Sequence, residues 1–418
     1  MGLVSGAALS PAADAPDGRR GWLALAGGFV ATMLVVGALN YPFGLFVEPL
    51  SREFGLNRAE ANRGLVLILL GMMVWSPLAG QLHRLWPARW VMLLGAGLFA
   101  GGAVMAASAR SPAVLGAALA GPLAAGAIAA GALTVNTLVT RWFVARRGRA
   151  LGIASVATSA GGLVVVPIMA WLILQFGWRQ AVLYAGLAFA GVIVALALTL
   201  VREPASAPAP AHTAPAPERR ALALIGDARF WQCALAIAPL MAADQALLAS
   251  LVPHLRQQQI DVQTAAWLMS AMTASAIAGK LLVGWAADRV RLLPLFAIVI
   301  ACHLVLMAVL SLTAAVPVLF ITVLTVGLAL GGVFPLWSLL IASRFEPREF
   351  PLAYGTSAVI TTAATMAMVE VAGRLFDGAG SYRPVWLLLA ALATLSLTIA
   401  IIVLRRDAAP LRAVTTSG

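Results

Sequence analysis

Twelve times along the chain an apolar stretch of roughly 20 residues or more recurs, and that length is what a helix needs to cross a bilayer core about 30 Å thick. The stretches are 22–47, 64–83, 89–108, 112–140, 149–175, 179–201, 230–253, 263–287, 292–313, 315–343, 351–373 and 382–404. Lipid offers the backbone no hydrogen-bond partner, so segments of this length close their bonds internally as helices. The composition agrees. The chain is 61% hydrophobic and 11% charged, whereas a soluble domain carries roughly 25% charged residues. The expectation is an all-α membrane protein. The fourth and tenth stretches are long and glycine-rich, a pattern that predicts kinks or tilt.

Basic residues set the orientation. If both termini face the cytoplasm, the inner segments hold about 19 Lys and Arg and the outer ones about 8, as the positive-inside rule requires. The segment TRWFVARRGRA (140–150), with Arg141, Arg146, Arg147 and Arg149, contributes most. Arg19 and Arg20 precede the first apolar stretch as in a secretory signal, but that stretch exceeds a signal's core of ~7–15 residues and lacks a clear cleavage box. It reads as a retained first span of a cell-membrane protein. The net charge of +12 is spread over short segments between spans, which argues against nucleic acid. Cys233 and Cys302 lie in apolar stretches outside any metal-ligand spacing, and the four histidines form no metal-binding pair. No metal and no cofactor is expected, nor is an enzyme.

Between the sixth and seventh stretches runs REPASAPAPAHTAPAPERR (202–220). Proline cannot continue a helix and favours extended, solvated backbone. It divides the chain into residues 1–201, a cytoplasmic linker at 202–228, and residues 229–418. The halves share an echo: GQLHRLWPAR (80–89) follows the second stretch and GWAADRVRLLP (284–294) follows the eighth. A half-length repeat predicts two six-helix bundles related by an axis along the membrane normal.

Twelve spans, a central linker and a repeated loop resemble the major facilitator superfamily, whose loop motif is similar to G-x-x-x-D-R-x-G-R-[RK]. The second copy keeps Gly284, Asp288 and Arg289. The first keeps Gly80 but has Arg84 where the aspartate is expected, so a gating salt bridge by that aspartate is not expected in the first half. RWFVARRGRALGIASVATSAGG (141–162) resembles the span-five signature of the monocarboxylate transporter family, including its bacterial oxalate/formate antiporter-like members. Trp142, Phe143, Arg146, Arg147, Ala150, Gly152 and Ala154 fall in place, while Ser155, Val156 and Ala157 interrupt the later glycine pattern. DGRRGW (17–22) resembles that family's acidic signature before span one, and FPLAYG (350–355) and RLFDGAGSY (374–382) are similar to its bacterial members.

Lys280 is the chain's single lysine against 27 arginines, and it stands inside the eighth stretch. A charge at the centre of a membrane helix costs roughly 2.5–3.5 kcal/mol on the insertion scale, so such residues face a cavity or a partner. Eight residues separate Lys280 from Asp288, which places its Cα about 12 Å inside the hydrocarbon. Two readings stand: a structural lysine paired with a carboxylate, or an anion anchor. The resemblance implies the second, because a cation in this part of span eight holds the substrate carboxylate in monocarboxylate transporters. Lysine offers a point charge where arginine offers a planar fork.

The family's proton-coupling aspartate, one turn before that cation, is here Ala276. Asp244, near the middle of the seventh stretch, carries either coupling or a local structural role. Glu370 is expected to bond Arg374, and His303 to be structural. Asn40 and Tyr41 interrupt the first stretch beside Pro42. With Asn136 and Trp337 they either pack or line the path, and the resemblance, in which spans one, four, seven and ten line the cavity, raises the second reading. The implied function is secondary transport of small organic anions, most of all monocarboxylates, by alternating access. Protons or a counter-transported anion would couple it, and a monomer would work in the bilayer. The alternatives are an exporter of drugs or other hydrophobic solutes on the same fold, and a non-transporting membrane sensor.

Overall fold

The computed structural model describes residues 16–204, 224–312 and 315–405. Among them every regular element is helical: α1 Arg19–Leu39, α2 Phe43–Phe54, α3 Arg58–Leu85, α4 Ala88–Ala107, α5 Pro112–Ala118, α6 Ala124–Ala130, α7 Ala132–Trp142, α8 Arg147–Thr199, α9 Ala228–Gln257, α10 Val262–Ala287, α11 Leu292–Leu312, α12 Val316–Leu330, α13 Val333–Arg344, α14 Phe350–Ala379 and α15 Arg383–Arg405. These make eleven segments long and apolar enough to cross a membrane. Most of the expected linker, residues 205–223, lies outside the described residues, as do 1–15 and 406–418.

The breaks fall where the local chemistry demands them. Between α1 and α2 the helix stops at Asn40, and Pro42, which has no N–H to donate, caps α2. The fourth stretch is interrupted twice. A π-wound turn, Leu119–Leu123, contains Pro122, and Gly121 inside it has ψ −108°. Gly131, with φ −98° and ψ −137°, separates α6 from α7. Both are expected causes of kinks. The tenth stretch breaks at Gly331 and Gly332, between α12 and α13. Helix α8 runs for 53 residues, about 80 Å at 1.5 Å per residue and far more than one bilayer crossing. Its backbone turns at Gly177, where φ is 78°, a left-handed value that a Cβ would oppose.

The chain divides into two compact units. The first comprises Met1–Leu224 with Lys280–Asp288 and Ile341–Val359. Within it α1 and α4 pack along α8, around a core that includes Met92, Leu138, Trp142 and Phe143. The second comprises Ile225–Gly279, Arg289–Leu340 and Ile360–Gly418. There α9 and α11 pack on α15, and Leu247, Leu251, Leu306, Val323 and Trp386 share one buried cluster. Leu163 and Leu174 in the first unit, and Leu312 and Ile321 in the second, remain exposed. In a membrane protein that apolar surface faces lipid, which is as apolar as leucine.

Candidate functional site

Two residues near the end of α10 and one just past it lie four apart, a spacing that places them on one face, and each meets α8. Asp288 comes last. Its carboxylate accepts from the backbone N–H of Gly148 at 2.6 Å and of Arg149 at 3.2 Å, with the Arg149 guanidinium 3.5 Å away. It therefore covers amides in the first turn of α8, where the helix dipole favours a negative charge. One turn back, Gly284 lies against Gly148 and Gly152. A Cβ on Gly284 would stand 2.5 Å from the Gly148 carbonyl oxygen, and one on Gly152 would stand 2.6 Å from that of Lys280. The two backbones touch because neither residue has a side chain.

Two turns back is Lys280, 5% exposed. Its Nζ donates to the Ser155 carbonyl at 3.0 Å, the Thr158 hydroxyl at 3.0 Å and the Ser159 hydroxyl at 2.8 Å. An ammonium has three hydrogens, and these neutral oxygens of α8 accommodate all three. The side chain thus points into protein rather than toward lipid. Thr158 also donates its own hydroxyl hydrogen to the Ser155 carbonyl, so the lone pairs of its hydroxyl are left to receive the lysine. Tyr41 extends the cluster. Its hydroxyl lies near Ser159, its ring lies over Gly162, and it is 48% exposed. A polar thread thus runs from an accessible phenol to a buried ammonium. Neighbouring Asn40 has its Oδ1 buried with no hydrogen-bond partner among the described residues.

The start of α8 is held from a second direction. Asp17 accepts from the backbone N–H groups of Val144, Ala145 and Arg146 at 3.3, 3.0 and 2.9 Å. Trp22 packs edge-on against Phe143, ring centroids 4.8 Å apart. DGRRGW and RWFVARR, far apart in sequence, are therefore two faces of one joint. Arg146 contributes its amide while its side chain is exposed. Arg147 Nε donates to the Phe143 carbonyl at 3.0 Å. Glu203, just past α8, accepts from Arg141 at 2.7 Å and from the Ala88 amide at 2.8 Å, so the beginning of the expected linker is pinned.

Of the residues singled out from sequence, Lys280, Tyr41, Gly284 and Asp288 converge on α8. Gly80 approaches Pro351, and Arg84 donates to Gln81 at 3.2 Å. Arg289 is exposed. Asn136 is buried in α7, the helix whose Thr134 meets His83 at 2.8 Å. Trp337 and Asp244 belong to the second unit. Trp337 is buried on α13, 6.5 Å from the Phe334 ring. Asp244 Oδ1 lies 3.3 Å from His303 Nε2, and its Oδ2 accepts from Gln245 Nε2 at 2.9 Å. Arg374 donates to Glu370 at 2.9 Å, the expected one-turn pair. Sequence reasoning missed Ser155, Thr158 and Ser159. Their signal was three hydroxyls at i, i+3 and i+4 on one face. It also took His303 as structural without its carboxylate partner. An apolar cavity of about 60 Å³ in the first unit is lined by Phe43, Phe46, Leu119 and Trp178 among others, and the indole N–H of Trp178 is already engaged by Glu53 at 2.6 Å.

The Major Facilitator Superfamily profile matches residues 28–259 and 239–417. Mouse monocarboxylate transporter 11 is 29% identical over 289 residues, a match covering 66% of this chain and 61% of that protein. The match therefore spans about three fifths of that relative's length. Rat monocarboxylate transporter 13 is 23% identical over 88% of this chain and 85% of its own. Among solved structures, the Escherichia coli fucose:proton symporter superposes with a TM-score of 0.71 at 16% identity, covering 91% of this chain and 99% of that one. The human organic anion transporter MFSD10 gives 0.65 at 17% identity, covering 94% and 100%.

Proposed function

The chain belongs to the Major Facilitator Superfamily, and from that premise we propose that this multi-pass membrane transporter carries small organic anions, most of all monocarboxylates, by alternating access. The long α8 counts as two spans meeting at Gly177, which makes twelve spans in two six-helix bundles joined by the linker at 202–228. Both termini then lie in the cytoplasm of a cell, and one copy of the chain suffices.

The observation that carries the reading is the position of Lys280. Its ammonium is buried and directed at the hydroxyls of Thr158 and Ser159, and accessible Tyr41 lies near Ser159. A carboxylate arriving along Tyr41 meets a cation and two rotatable hydroxyls that can turn from accepting to donating. The anion then competes with α8 for the lysine's hydrogens. Lys280, Gly284 and Asp288 close one seam against α8, so an anion that takes the ammonium loosens that seam. Binding is thereby tied to conformational change, because the anion has higher affinity for the state in which Lys280 is released. The names of the relatives support the substrate class. Asn40, Asn136 and Trp337 would shape the path, and protons or a second anion would drive it.

Counterflow of labelled lactate, pyruvate and oxalate in proteoliposomes tests this. Lys280→Ala should reduce exchange more than about 30-fold, the effect of removing one member of a buried charge pair. Lys280→Arg should keep part of it with a weaker fit, because a planar fork replaces a point charge. Unchanged exchange in Lys280→Ala sinks the anchor. Wild-type transport of hydrophobic solutes that no carboxylate competes with would mark an exporter instead.

A further inference from the structure

In the second unit, His303 is fully buried on α11 and Asp244 is 4% exposed on α9. Two distances constrain their protons. His303 Nδ1 lies 2.8 Å from the Val299 carbonyl oxygen, which only accepts, so Nδ1 carries a hydrogen. His303 Nε2 lies 3.3 Å from Asp244 Oδ1. With Nδ1 protonated, a neutral imidazole presents a bare lone pair at Nε2, and an ionised carboxylate presents another at Oδ1. Two acceptors facing each other in a buried site repel. One proton between them turns the contact into a hydrogen bond, written either as a carboxylic acid donating to imidazole or as a carboxylate accepting from imidazolium. Both forms leave the pair neutral overall, as burial in an apolar bundle demands.

From this geometry we infer that Asp244 and His303 share one proton and that the pair is the transporter's proton-coupling site. The shared proton stands on the distances alone; its use in coupling rests on the anion transport proposed above. Release to water takes the pair from neutral to a net charge of −1, and uptake restores it. Gln245 marks the exit: it donates to Asp244 Oδ2 at 2.9 Å and is itself only half-buried. Among the described residues, no other titratable group on the surrounding elements hydrogen-bonds to Asp244 or His303, and Arg229 and Arg256 stand at the two ends of α9. On α9, Cys233 and His254 are eleven and ten residues away, and His254 is engaged with the Leu310 carbonyl at 3.1 Å. On α11 there is Cys302, beside His303 in sequence. Helix α15 has titratable groups only at its ends, Arg383 and Arg405, and α12 has none. On α14, Glu370 and Arg374 are exposed and paired with each other, and Asp377, two turns beyond Glu370, is exposed as well. On α10 the one lysine, Lys280, belongs to the first unit.

Two measurements on the full chain in lipid test the two parts. In nitrogen-15 NMR of the histidines, His303 should show both ring nitrogens hydrogen-bonded, and Asp244→Asn should move the Nε2 signal. The asparagine amide can donate to Nε2 in place of the shared proton, so this variant should fold, and His303→Gln provides a second test. An Nε2 signal that ignores Asp244→Asn overturns the shared proton. In proteoliposomes, an imposed pH gradient should concentrate labelled lactate about tenfold per pH unit if one proton accompanies each anion. Both variants should lose that gradient-driven accumulation, while counterflow, which needs no net proton movement, falls much less. Accumulation that survives in Asp244→Asn overturns the coupling and leaves the shared proton standing. Absence of wild-type carboxylate counterflow overturns the transport reading and the coupling with it, while the NMR result still decides the pair.

Discussion

Gly284 and Gly80 make the same approach from the two copies of one loop motif. Gly284 meets the carbonyl of Gly148 in α8, and Gly80 meets that of Pro351 in α14; in each case a Cβ would stand 2.5 Å from the oxygen. The correspondence extends one turn in the other direction. Gly152 of α8 lies against Lys280, and Gly355 of α14 lies against Ser76, so Ser76 occupies in the first copy the place that Lys280 holds in the second. The backbone packing is repeated, but the charges are not. Where Asp288 accepts two amides at the start of α8, the first copy has Arg84, which turns to Gln81. The start of α14 needs less covering, because Pro351 at its second position has no N–H. The difference teaches that close helix approach is a property of the repeat, whereas the cation and the acidic cap are specific to the end of α10.

Making the second copy resemble the first should give the largest effect. Asp288→Arg removes an acceptor from two amides and places a cation against Arg149 and the positive end of the dipole. A loss of about 2–4 kcal/mol is expected from the cap and charge terms together, visible as a lower apparent melting temperature in detergent; no change would mean the cap is idle. Gly284→Ala and Gly80→Ala should each cost about 1–3 kcal/mol by overpacking, and they should cost alike. Strongly unequal losses would show that the shared backbone geometry hides unequal packing. Arg84→Asp makes the first copy resemble the second and should stabilise by no more than about 1 kcal/mol, through the dipole of α14. The smallest effect belongs to Pro351→Ala, a few tenths of a kcal/mol in the wild type. Combined with Arg84→Asp it should be better tolerated than alone, since the restored N–H finds an acceptor.

Much of the fold was legible because lipid permits few backbone solutions. The apolar stretches matched helices, and the kinks fell at Pro42, Gly121–Pro122, Gly131 and Gly331, where a missing N–H or Cβ announces them. Gly177 falls in the gap between the fifth and sixth stretches, 149–175 and 179–201, although both arms that meet there are apolar and helical. At the site, Lys280 stood out because a charge in such a stretch is rare. Ser155, Thr158 and Ser159 did not, because hydroxyls in membrane helices commonly bond their own turn, as Ser155 and Thr158 also do here. The Asp244–His303 pair was hidden for another reason. The two residues lie 59 apart on different helices, and only the rotation of α9 against α11 determines whether they meet.

By itself the sequence determined that this chain is a multi-pass membrane protein, which segments are long and apolar enough to cross a bilayer, and that one cation and one acid sit where charge is costly. Those are matters of composition and length, which solvation energy settles residue by residue. Tertiary structure alone decided which oxygens surround Lys280, that Asp288 caps α8, that Asp17 joins two distant signatures, and that Asp244 faces an imidazole. Such contacts depend on helix rotation and register, where a shift of one residue turns a side chain by about 100°, and no local pattern encodes the partner's angle.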